Sequence, residues 1–527
     1  MMPTAVSLPR FSAAQAALPA LALLPALALL LAVGGCAVGP DFERPAAPGT
    51  DRYTATAAPP ATTGNAQVPA QRLHAGMDIP AQWWTLFRSP ELDQLVREAL
   101  AHSPTLEQAR ARLRQAQEEL SAETGTRTLP SVDANLSAAR QKVDPSAYGV
   151  PVTELPPPFT LYNASIDVSY TLDLFGAEQR ALEGLRAQVD HQQHELQAAR
   201  MMLAANVVTA AIRQAGLQAR LDATQAQLDA QARQLAIMRQ RHRAGGVAAL
   251  DLHKQESLLA QTRAGLPALQ QDIDRTRHQL AAYLGRLPAQ ADLPAPALDT
   301  LELPLDVPLG VPSQLTRQRP DILAAEALWH RAAADVGVAT ANLYPRFTLT
   351  GSFGSQRTRA GDVADGVNVW NLALGLTQPL FHGGELRARQ RAAEAAYQGA
   401  AAAYRDTVLQ GFQQVADALR AVQADADALQ ARAEAEQQAL AAYDITARQY
   451  QAGGVSQLAL LDAQREQLRT RADRIQAQAD RYADTAALLQ ALGGGWWNEP
   501  ESVSSLHSPP SLPACHGCLP ATASPAD

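Results

Sequence analysis

The sequence predicts a mainly α-helical protein with a small set of β-strands, built twice on one plan. Three observations carry this. Helical stretches rich in Ala, Gln and Arg break at Arg243-Ala244-Gly245-Gly246-Val247, with Leu250 and Asp251 following, and break again at Gln451-Ala452-Gly453-Gly454-Val455, with Leu458, Leu461 and Asp462 following. The breaks lie about 208 residues apart, far beyond the period of roughly 20–50 residues that marks a solenoid. Roughly 70 residues before each break, an alternating apolar segment ends in Leu174-Phe175-Gly176 or in Leu380-Phe381-His382-Gly383-Gly384. Aromatic residues are only 5% of the chain, a composition that suits long helices packed through small side chains rather than thick mixed cores.

Taken in order, the chain opens on a targeting segment. Arg10 supplies a short basic region, Ala13 to Val33 is apolar, and Val33-Gly34-Gly35-Cys36 closes it with small residues. That ending resembles a bacterial lipobox, with Cys36 as the acylated mature N-terminus; an ordinary signal peptide or membrane anchor containing a cysteine is the alternative. Ala37, not Asp, follows the cysteine, which is compatible with sorting to the outer membrane. From Cys36 to about Ala81 the chain is rich in Pro, Ala, Thr and Gly and reads as an extended, surface-wrapping arm.

Trp83-Trp84-Thr85-Leu86-Phe87 leads to Ser89-Pro90-Glu91-Leu92, an N-cap with proline at the first helical position, and Leu92, Leu95, Val96 and Ala99 form one face of the helix. A second helix starts at Ser103-Pro104, with Leu106, Ala109, Leu113, Ala116 and Leu120 at helical spacing. At Leu129-Pro130 the period changes to two. Val132, Ala134, Leu136 and Ala138 mark one strand, and Ile166, Val168, Tyr170 and Leu172 a second. The second copy repeats this with Phe347, Leu349, Gly351 and Phe353, then Val369, Leu372, Leu374 and Leu376. Helices follow each strand pair, roughly Ala177 to Arg243 and Leu250 to Leu284, then Glu385 to Gln451 and Gln457 to Leu492. A helix of that first length runs about 100 Å, too long to be buried in one globule. The small residues from Ala392 to Ala403 suit close helix packing or simply high helix propensity. A Pro-rich connector, Leu287 to Pro312, joins the copies. These signals divide the chain into a signal peptide over 1–35, a lipidated extended arm over 36–82, a first repeat over 83–300, a second over 301–497 and a disordered tail over 498–527. Cys515 and Cys518 in that tail read as an incidental pair, lacking the helix N-terminus or further ligands that redox or metal chemistry needs.

Composition narrows function. A net charge of −8 with no basic patch gives no electrostatic footprint for nucleic acid. The sequence has no HExxH, no GxSxG and no phosphate-cradling glycine loop, so no enzyme and no cofactor are expected. Four alternating strands cannot end as an open sheet against lipid, because its edges leave backbone groups unpaired; closure needs other chains.

The lipobox Cys36 with Val38-Gly39-Pro40-Asp41-Phe42, Trp83-Trp84-Thr85-Leu86-Phe87, Arg319-Pro320-Asp321-Ile322, Leu380-Phe381 with Gly383-Gly384, and both Gly-Gly-Val breaks together resemble the TolC/NodT-type outer membrane factors, from Cys36 to about Leu492. His102 stands where that family usually has Asn, and the tail beyond Asn498 departs from its pattern. The resemblance implies a homotrimer: a transmembrane β-barrel of twelve strands in outer-membrane lipid over a periplasmic α-helical barrel. The function implied is the exit duct of a tripartite efflux system with a periplasmic adaptor and an inner-membrane transporter of RND type. It further implies adaptor-contact tips at Gly245, Gly246, Val247, Gly453, Gly454 and Val455 and a gate at Leu458 and Asp462, whose threefold carboxylate ring would hold like charges close. For Asp462 the alternative is an ordinary acid at a helix N-terminus. The rival for the whole chain is a periplasmic coiled-coil adaptor lipoprotein, which carries one hairpin and a lipoyl-like domain rather than two hairpins after strand pairs.

Overall fold

The structure, a computed structural model, describes residues 37–57, 59–65, 68–144, 149, 157–290 and 292–498. Cys36 with the segment before it, and Cys515 and Cys518 with the tail, lie outside the described residues. The strands are β1 Arg72–Ala75, β2 Ser131–Gln141, β3 Phe159–Leu172, β4 Asp306–Leu309, β5 Arg346–Arg357 and β6 Val369–Thr377. The helices are α1 Pro90–His102, α2 Pro104–Thr128, α3 Ala177–Arg243, α4 Ala249–Tyr283, α5 Pro312–Gln318, α6 Pro320–Ala341, α7 Glu385–Gln451 and α8 Gln457–Ala491. The chain divides into two compact units, and the division falls inside α1, α3 and α7: residues up to Asp51, Leu100–Arg200 and Pro312–Gln414 form one, and Arg52–Ala99, Met201–Val311 and the residues from Val415 onward form the other.

The first unit holds the larger sheet, in the order β2-β3-β5-β6 with every pairing antiparallel. Its register turns the sequence alternation into two faces. Val132, Val168, Gly351 and Leu372 share one row, and Ala134, Ile166, Phe353 and Trp370 the next. Leu136 is 81% exposed and Trp370 79% exposed on this apolar face. The opposite face carries Asp133, Asn135, Asp167, Thr348, Thr350 and Asn371, where Asn135 and Ser165 both donate to Asp167. Below the sheet, the N-terminal arm is clamped onto α3 and α6. The Val38 N–H donates to Phe175 O at 3.2 Å, Arg180 bonds Asp41 at 2.6 Å and Glu183 at 2.8 Å, and Phe42 stacks on His330 at 4.6 Å while meeting Trp329 edge-on at 5.4 Å.

In the second unit Trp83, Phe87, Leu92, Leu95, Val96 and Ala99 are buried, the face the sequence assigns to α1. The Ser89 hydroxyl caps that helix by accepting the Leu92 N–H at 3.3 Å. Arg481 of α8 is wholly buried and holds the arm, donating to Gln71 Oε1 at 3.2 Å, to Thr62 Oγ1 at 3.3 Å and to Pro69 O at 2.9 Å.

The structure adds two strands and the helices α5 and α6 to the sequence reading. The arm is extended but carries β1, and the connector carries β4; the two pair in parallel, Arg72 opposite Asp306. Four residues apiece are too short to show a period, and Pro308 in β4 masks it further. Helix α6 follows Arg319, with Pro320 at its first turn and the Arg319 guanidinium bonded to Asp321. The small residues Ala392, Ala395, Ala396, Gly399, Ala402 and Ala403 lie exposed on α7, uncovered within one chain.

In the second unit one carboxyl is driven far above its ordinary range. Burial, with the Asp484 and Asp480 carboxylates of α8 beside it and against the pull of Arg481, pushes the Asp425 carboxyl of α7 up to about 7. Asp425 therefore holds a proton in the folded chain that the unfolded chain releases near pH 4. Its contribution to stability is present below the unfolded pKa and is lost as pH rises through about 7. Melting temperature should fall between pH 5 and pH 8, and Asp425→Asn should flatten that slope; an unchanged slope in the variant would assign it to other groups.

Candidate functional site

Both Gly-Gly-Val segments close a helix by the same geometry. After α3, the Gly245 N–H donates to His242 O at 2.9 Å and the Gly246 N–H to Arg241 O at 2.8 Å; after α7, Gly453 donates to Tyr450 O at 3.1 Å and Gly454 to Gln449 O at 2.8 Å. This paired 5→2 and 6→1 pattern requires a left-handed residue at the first glycine. Gly245 has φ +76° and Gly453 φ +78°, whereas Gly246 and Gly454 do not sit at positive φ, and a Cβ at either would approach a helix carbonyl no closer than 3.5 Å. The first glycine of each pair is thus fixed by the turn and the second is open to substitution. Val247 and Val455 follow, half-buried.

Helix α8 starts just past the second turn, where the Ser456 hydroxyl accepts the Ala459 N–H at 3.3 Å. Leu458 and Asp462 share its exposed face, as their spacing of four implies. The buried face carries Gln457, Leu460, Leu461 and Gln464. Two features were not anticipated. Asp462 is paired within its own chain to Arg465 at 3.1 Å, so the carboxylate the sequence reading leaves unbalanced has a counter-ion one turn away. The i,i+3 spacing was the available signal. The second is a polar seam: Gln464 donates to Gln234 Oε1 of α3 at 2.7 Å and Gln457 lies 3.4 Å from Gln255 of α4, tying α8 to the first hairpin through amides that are buried at Gln255, Gln457 and Gln464 and half-buried at Gln234. Sequence alone shows glutamines there, but so many populate these helices that none stands out.

Leu136 and Trp370 belong to the outermost strands of the sheet, whose outer edges are unpaired within one chain. Among the described residues no helix is long and apolar enough to cross a membrane. Strands of 9 to 14 residues with one apolar and one polar face are long enough to do so as part of a barrel. Sheet and hairpins together define a channel-forming outer-membrane protein.

The chain belongs to the outer membrane efflux protein family, whose model matches residues 95–286 and 311–494. It is 33% identical over 421 residues to the pyoverdine export outer membrane protein OpmQ of Pseudomonas putida, covering 79% of this chain and 89% of that one. Outer membrane protein OprJ of Pseudomonas aeruginosa is 31% identical over 470 residues, covering 88% and 94%. Among solved structures, the outer-membrane channel OprN superposes with a TM-score of 0.76 at 31% identity, over 88% of this chain and 100% of that one. The open-state MtrE outer membrane channel of Neisseria gonorrhoeae gives 0.75 at 26% identity, over 88% and 99%. The fold is TolC-like, and the chain is an outer membrane exit duct for efflux, not a periplasmic adaptor.

Proposed function

We propose that three copies of this chain close one barrel of twelve strands in the outer membrane and conduct substrates passively, without catalysing a reaction, from a periplasmic adaptor and an inner-membrane transporter of RND type. The observation that carries this reading is the four-stranded sheet, with an exposed apolar face from Leu136 to Leu376 and two open edges. An open edge facing lipid leaves backbone groups without partners, and identical neighbours satisfy them. The exposed small-residue face of α7 suits contact between helices of adjacent copies. Acylation of Cys36 is supported by its neighbours in sequence: Val38 is bonded to Phe175, three residues beyond the end of β3, so the arm enters beside the foot of the sheet. Native mass measurement of the detergent-extracted protein should return three chains, each carrying acyl mass that Cys36→Ser removes. A stable lipid-free monomer contradicts the reading.

In this assembly the Gly-Gly-Val turns face the adaptor and the exposed face of α8 lines the periplasmic entrance. Three Leu458 side chains then form an apolar constriction and three Asp462 carboxylates a charged one. A bare like-charge pair at 4–6 Å would cost on the order of a few kcal/mol at an effective dielectric near 20, and the Arg465 partner offsets much of this. Leu458→Ala should raise single-channel conductance. Asp462→Ala should weaken block by divalent cations added on the periplasmic side, and Arg465→Ala, by freeing the carboxylate, should strengthen it. If all three variants conduct and block as the parent does, with trimers intact, the constriction lies elsewhere.

A further inference from the structure

The two tips share a backbone but differ in charge. A shift of 208 residues carries α3 onto α7, each of 67 residues, and α4 onto α8, each of 35, with the same turn bonds between them. Under that shift Leu250 coincides with Leu458, and both are exposed. The apolar part of the two tip surfaces is therefore common to both. Arg241 and Arg243, however, coincide with Gln449 and Gln451, and Lys254 coincides with Asp462.

At the first tip, Arg239 occupies the Glu256 carboxylate at 2.8 Å, and His253 lies 3.3 Å from it. Arg241 and Arg243 are exposed, and among the described residues no carboxylate pairs with Arg241, Arg243 or Lys254. Arg243 bonds only the Arg239 carbonyl, at 3.4 Å. At the second tip Arg448 donates to the Asp444 carbonyl at 3.2 Å and Arg465 is taken by Asp462 at 3.1 Å. In a chain of net charge −8, a turn that gathers two exposed arginines and the half-buried Lys254 without counter-ions is a local reversal. Unbalanced surface charge of one sign selects partners of the other sign and steers their approach.

We infer that the first tip, through Arg241, Arg243 and Lys254, docks an acidic helical segment of the periplasmic partner, whereas the second tip docks an uncharged one. The inference rests on the reading that the tips face that partner. A second copy of this chain does not meet the demand: its other tip offers Asp444 and Asp462, and Asp462 already holds Arg465. The identical turns would then present one shape and two chemistries, so that a ring of partner hairpins is fixed in register around the duct rather than free to bind at either tip.

The probes are fluorescent designed helical hairpins with Glu at the turn, or with Gln at the same positions, titrated by anisotropy into the full-length detergent-solubilised protein. At low salt the Glu hairpin should bind at least about tenfold more tightly than the Gln hairpin, and raised salt should erase the difference. Arg241→Gln with Arg243→Gln should abolish that preference, and Gln449→Arg with Gln451→Arg should raise Glu-hairpin stoichiometry from one to two per chain. Equal binding of both hairpins, or a preference that survives the Arg241/Arg243 change, overturns the inference. So does a salt-labile trimer in that variant with hairpin binding unchanged, which would place these charges between copies. Gly246→Trp with Gly454→Trp separates the two levels: if hairpin binding ignores this pair, the tips are not docking sites at all, whereas if binding is lost but was insensitive to charge, only the acidic partner is excluded.

Discussion

Leu374→Arg is expected to eliminate the assembled channel from the outer membrane. Leu374 lies in the middle of β6 opposite Leu349, 64% exposed on the apolar face of the sheet. An arginine at the lipid midplane costs roughly 2–4 kcal/mol, and a trimer bears that cost in every chain. The neighbouring Ala373, opposite Thr350, points to the polar face. Ala373→Arg should therefore assemble and change conductance instead. Heat-sensitive trimer in the outer-membrane fraction is the readout for both. Normal assembly of Leu374→Arg together with failure of Ala373→Arg would invert the two faces.

Arg481→Met should destabilise the helical unit by about 2–5 kcal/mol and release the arm. The guanidinium is wholly buried and satisfies Gln71, Thr62 and Pro69, all on the arm, from a position on α8. Methionine fills similar volume but leaves those oxygens buried without donors, the costlier half of a broken hydrogen bond. Removing the charge recovers some desolvation energy, which keeps the estimate below the sum of three lost bonds. Limited proteolysis should cut the variant within residues 59–72 long before the parent. Equal protection and an equal melting temperature would show that the arm is held by its apolar contacts, among them Val68 and Ile79, alone.

The long helices were legible because a helix of 67 residues repeats its composition over many turns and ends at a Gly-Gly-Val break. The four barrel strands were legible for the same reason in a shorter period. Leu372, Leu374 and Leu376 cannot share one face in any element but a strand, and the structure pairs them with Gly351, Leu349 and Phe347. The tip turns follow from chemistry that is local to five residues, so their position and their need for glycine could be read directly. The sequence did not say which glycine carries the strain; that depends on where the last helical hydrogen bond falls.

What the sequence determined by itself comes from neighbours along the chain: the ends of the long helices, strand alternation and the tip turns, though not α6, whose local start at Arg319-Pro320 went unread. The tertiary structure alone decided the rest. Residues separated by hundreds of positions meet there, as Gln71 does with Arg481, Arg72 with Asp306 and Gln464 with Gln234. A buried polar group must find a partner somewhere, but many glutamines and arginines in these helices could have served, and one chain's periodicity does not rank them. Asp462 is the opposite case: its partner Arg465 stands three residues on along the same helix, so that pairing belongs with the local features the spacing could show.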